Sequence, residues 1–97
     1  MKFSITEQTF KYFNKLFNYD GPIIYDNHTY NFEVSDDFIR DYKIELSSGN
    51  RDNYTTMLIR LLHKAHGYNW DKLMQIYPNE CLFIWCWKNI PDFTNQL

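Results

Sequence analysis

Cys81-Leu82-Phe83-Ile84-Trp85-Cys86-Trp87 places seven apolar residues in succession. A run with no polar face has to be covered on every side, so it marks a buried element. A chain of ninety-seven residues buries roughly 60–65% of the surface it exposes unfolded, enough for one modest core and no second. The run's composition suits a strand. Its entry, Pro78-Asn79-Glu80, suits a helix start, and a helix is the expectation. The run is far short of the ~20 apolar residues that span a bilayer, and no coiled-coil or solenoid period appears.

Other segments declare themselves by period and punctuation. Ser4-Ile5-Thr6-Glu7 fits a capping box, and Phe10, Phe13 and Phe17 follow at helical spacing, so a helix is expected over 5–18, ended by Gly21-Pro22. Ile23-Ile24-Tyr25 and Tyr30-Asn31-Phe32-Glu33-Val34 flank the turn formers Asp26-Asn27-His28 and predict a β-hairpin near residues 23–34. An isolated hairpin is marginal in water and needs a covering element. Residues 35–48 carry an N-cap in Ser35, an acidic first turn and a helical apolar face, although Tyr42–Leu46 also alternates as a strand does; a helix is favoured. Tyr54, Met57, Leu58, Leu61, Leu62 and Ala65 predict a helix over 53–66, capped by Asn50 or Asp52 and stopped by Gly67. Trp70, Leu73, Met74 and Tyr77 repeat the pattern behind Asn69 as cap, and the tail after Ile90 should be irregular. The expectation is one mainly helical α+β domain spanning 1–97.

No apolar leader with a cleavage site stands at the start of the chain, so no signal peptide is expected. Cys81 and Cys86 are five residues apart, which separates them on a helix and puts them on opposite faces of a strand. Both geometries predict free, buried thiols, as in the reducing cytoplasm. The sequons Asn27-His28-Thr29 and Asn53-Tyr54-Thr55 carry no meaning without secretion. Phe, Tyr, Asn, Ile and Lys abound while Ala65 is the sole alanine, a bias that AT-rich codons produce and that points to a low-GC bacterium or one of its mobile elements.

Catalytic chemistry finds little support. His63 and His66 lie three apart on a predicted helix, where both could face one ion, yet Cys81 and Cys86 cannot converge to complete a zinc site. A helix terminus complemented by cations explains the histidines better. Both cysteines sit in the most apolar stretch, where burial raises a thiol pKa and opposes a nucleophilic role. No phosphate-cradling glycine loop, dinucleotide fingerprint, nucleophile elbow or metalloprotease motif is present. No cofactor and no metal are expected.

Two features favour binding instead. Residues 21–49 hold Asp26, Glu33, Asp36, Asp37, Asp41 and Glu45 against Arg40 and Lys43, an acidic segment in a chain of net charge −2. Such a patch suits a basic partner, including the groove of a nucleic-acid-binding protein. Nineteen Phe, Tyr and Trp residues exceed what one small core buries, so some should anchor an interface. Asp36, Asp37, Asp41, Tyr68, Trp70, Tyr77 and Trp87 are the expected contact residues. The leading expectation is a non-catalytic protein-binding module, a small phage or mobile-element inhibitor of the anti-defence type that occludes a larger host protein. A DNA-binding regulator using the helix pair 51–77, with Arg51, Arg60, Lys64 and Lys72, is the alternative. The pI near 5.8 opposes it, so direct nucleic-acid binding is not expected. Gly67–Lys88 resembles helical segments of some phage tail-assembly chaperones, which implies a structural or assembly role and leaves self-association open.

Overall fold

The expected buried run is a helix, and the rest of the chain is arranged around it. In a computed structural model that describes residues 1–49 and 51–97, the elements in chain order are strand β1 (Lys2–Thr6), helix α1 (Glu7–Phe17), strands β2 (Ile24–Asp26) and β3 (Thr29–Glu33), helices α2 (Asp36–Ser47), α3 (Tyr54–Lys64), α4 (Tyr68–Ile76) and α5 (Pro78–Asn89), and a 3-10 turn over Phe93–Gln96. The protein is thus a small α+β domain. Pro78 opens α5, where its missing N–H costs nothing. Cys81, Leu82, Phe83, Ile84 and Cys86 are all fully buried. Phe83 is the hub. The rings of Phe3, Phe38, Tyr42 and Phe93 meet it edge-on at 5.0, 5.8, 4.9 and 5.5 Å between centroids. Edge-to-face contacts of this kind add to the area each ring buries. β1, α2 and the chain's last turn thereby converge on one side chain.

The hairpin forms as expected, with Ile24↔Asn31, Tyr25↔Tyr30 and Asp26↔Thr29 in register. Asn27 and His28 both take positive φ, 50° and 65°, the mark of a type I′ turn. The covering element is an unexpected third strand. β1 pairs antiparallel with β3, Phe3 opposite Phe32 and Ile5 opposite Tyr30, giving the order β1-β3-β2. The helix expected over 5–18 therefore starts later. Ser4 lies in the strand, and Thr6 is the true cap, accepting from the Thr9 N–H at 3.2 Å. The outer edge of β1 is closed by the tail, which is ordered rather than irregular. Gln96 Oε1 accepts from the Ser4 N–H at 2.8 Å, and Gln96 Nε2 donates to the Ser4 carbonyl at 2.9 Å. One side-chain amide so occupies a backbone pair that an open edge would offer to another chain.

The ambiguous segment is helical over Asp36–Ser47, with the Ser35 hydroxyl accepting from the Phe38 N–H. Asn53 rather than Asp52 caps α3, its Oδ1 accepting from both the backbone N–H and the hydroxyl of buried Thr56; Asn50 lies outside the described residues. α3 ends at Lys64, before Gly67, which instead starts α4 at φ 59°, ψ −128°. Arg60 joins three segments. It forms a two-pronged pair with Glu45 (2.9 and 3.1 Å) and donates to the carbonyls of Gly49 and Arg51. Cys81 and Cys86 are free and buried, and burial pushes both thiols up to about 12.

Two stability predictions follow from these positions. A Cβ at Gly67 would meet nothing within 4 Å, so only its backbone angles demand glycine. Gly67→Ala should therefore cost about 1–3 kcal/mol in urea unfolding. His63 is half-buried, parallel to Tyr42 and edge-on to Trp87 at 5.4 Å. Desolvation, helped by Lys88, holds it below its ordinary 6.5, with Glu45 opposing. The unfolded chain then takes up this proton first, and stability falls as pH drops through 6.5. Half-buried Glu80, raised above 4.5 by desolvation, acts in the opposite sense. The readout is accordingly the difference from His63→Phe, whose urea midpoint should lose less than wild type between about pH 7 and 5.5.

Candidate partner-binding surface

A surface helix ordinarily has one apolar stripe. α3 has two. Leu58, Ile59 and Leu62 face the core together with Thr56. Met57 and Leu61, one turn apart, face outward and are 58% and 51% exposed. Tyr54 continues that stripe toward the helix start and is also exposed. The chain turns back through Ala65-His66-Gly67 into α4, and the residue after α4 is tied to the start of α3 by a hydrogen bond between the Tyr54 and Tyr77 hydroxyls. Trp70 and Met74 hold α4 on the core. Its outer side offers half-buried Leu73 and Ile76, the latter 66% exposed.

Between the two helices lies a groove of about 530 Å³. Leu61, Ala65, Leu73 and Ile76 give it an apolar floor; Lys64 and Lys72, one from each helix, are its charged residues. Lys72 Nζ also sits 4.5 Å from the ring centroid of exposed Tyr68. No ion pair among the described residues involves Lys64 or Lys72. A second hollow, on the other flank of α4, is lined by Leu16, Asp20, Asp71 and Gln75 among others. It is acidic where the first is basic.

The expected contact residues do not assemble into one surface. Asp41 turns inward and is 1% exposed, with Arg40 at 3.2 Å and Arg51 at 3.4 Å. Burial alone would raise its pKa, but the two guanidinium groups outweigh that and hold it low. Trp70 is buried, and Trp87 is partly buried against Tyr42 and His63. Tyr77 is partly buried with its hydroxyl on Tyr54. Asp36 and Asp37 are exposed, beside the Met1 amino group and Arg40 respectively. Tyr68 is exposed at the opposite end of α4 from Tyr77, roughly 13 Å along the axis. The acidic pair and the aromatic anchors are thus separate. Of the basic residues on the helix pair, Arg51 and Arg60 are held by carboxylates on and near α2. His66 lies past the end of α3 and does not share a helix face with His63.

Met57 and Leu61 were readable as core residues by spacing alone, and that reading misplaces them. The available signal was surplus: α3 carries more apolar positions than one face can hold. Comparison with protein-family models, curated proteins and solved structures gives no match.

The different placements of the three aspartates are separable by experiment. Asp41→Asn should lower the urea-unfolding free energy by about 1–3 kcal/mol, because it weakens a charge-assisted pair away from water. Asp36→Asn and Asp37→Asn should leave stability within the error of the same measurement.

Proposed function

We propose that this chain is a non-catalytic protein-binding module that docks a larger protein through the outer face of α3 and α4. The observation that carries this reading is the second apolar stripe of α3, exposed and continued by Ile76 across a groove. Met57, Leu61 and Ile76 are each more than half exposed, and covering all three is worth about 3–5 kcal/mol. Association costs at least about 4 kcal/mol, so these side chains alone would not hold a complex. Tyr54 and Tyr68, exposed near opposite ends of the surface, supply the further anchors. Two thiols pushed up to about 12 are poor nucleophiles, in keeping with a non-catalytic role. The codon bias suits a mobile-element inhibitor that acts by occlusion in a bacterial cytoplasm. No helix among the described residues is long and apolar enough to cross a membrane.

The test is affinity capture from a low-GC bacterial lysate with the wild type and with Leu61→Asp/Ile76→Asp, each with and without nuclease. Both replaced side chains are largely in water, so the variant should fold, which circular dichroism checks. One stoichiometric protein is expected, indifferent to nuclease and at least about tenfold depleted with the variant. Capture that ignores the variant, or that nuclease abolishes, would overturn the proposal.

A further inference from the structure

We infer that the groove between α3 and α4 takes an amphipathic α-helix of the partner, one presenting apolar side chains about a turn apart and carrying Asp or Glu along its borders. The inference rests on the protein-binding reading and names what that surface holds.

Shape is the first argument. The floor is a trough between two helices joined by a three-residue turn, and Leu61 and Ala65 stand one turn apart on one wall. Side chains spaced i, i+4 on a third helix form a ridge that seats in such a trough. Along α4 the lining runs from Asn69 to Ile76, about 10 Å, room for two turns of an added helix.

Charge decides the occupant's chemistry. Lys64 and Lys72 border the apolar floor from different helices, and no carboxylate lines it. Asp71, next to Lys72 in sequence, lines the other flank of α4 with Asp20. Arg60, one turn before Lys64, is held by Glu45. The groove therefore presents uncompensated positive charge around apolar surface, which acidic borders on an incoming helix would complement. A second copy joined face to face would set these lysines against their own counterparts. An anionic membrane would meet a chain whose net charge is −2 and a concave surface rather than a protruding apolar one.

The test is selection from a displayed library of randomised helical peptides of about 16 residues, with counter-selection against Leu61→Asp. The expected enrichment is apolar residues at i, i+3 or i+4, and i+7, with flanking Asp or Glu. A synthetic peptide of that consensus should bind at least about tenfold more weakly to Lys64→Glu/Lys72→Glu. An extended, proline-rich or basic consensus, or no groove-dependent enrichment, would overturn the inference. So would flotation with phosphatidylserine vesicles, or self-association in sedimentation, if either is lost in Leu61→Asp. The module reading stands separately. It survives if the captured protein still depends on Leu61 and Ile76 while the peptides fail, and it falls with this inference if the capture is indifferent to them.

Discussion

Everything in this fold depends on covering a helix that has no polar side. α5 is apolar around its circumference from Cys81 to Cys86, and its residues can be dry only if the sheet, α2, α3 and the C-terminal turn all reach it. Phe83 shows how this is done with few residues. Four rings from three parts of the chain meet one phenyl group, each presenting an edge to a face. Aromatic side chains bury large areas with only two torsions to fix, which suits a chain too short to supply many layers. The aromatic surplus is thus largely structural.

That arrangement also explains the outer surface. α3 and α4 lie at the periphery, where Trp70, Met74, Ile59 and Leu62 are enough to hold them. Their remaining apolar residues are surplus to the core. The polar network is internal by comparison: Arg60 joins α2 to α3, and Arg40 and Arg51 enclose Asp41. Most of the charge that looked available in the acidic segment and on the helix pair closes on itself. Lys64 and Lys72 are left as the notable exceptions beside exposed apolar surface.

The helices were largely legible because their signals are local. Ser35 before two acids and Pro78 before the apolar run each act within a few residues of the helix they begin. β1 was not legible for the opposite reason. Lys2-Phe3-Ser4-Ile5-Thr6 alternates as a strand should, but Ser4 and Glu7 also imitate a capping box, and what settles the matter is pairing with residues near position 30. Asp41 was misread for a similar cause. It is one turn from exposed Asp37, and its burial depends on Arg51, beyond the end of its own helix. The groove was only partly legible: periodicity identifies apolar positions on α3 but does not say which stripe the core will use.

The two thiols offer an independent way to watch this molecule. Both are buried in the helix at the centre of the core, and both resist ionisation at neutral pH. An alkylating reagent reaches them only when α5 is uncovered, so the rate of adduct formation is a clock for whole-molecule opening. Motion confined to the outer side chains of the groove would leave that clock unmoved. Mass spectrometry of the adduct count would separate global unfolding from local motion without any introduced label.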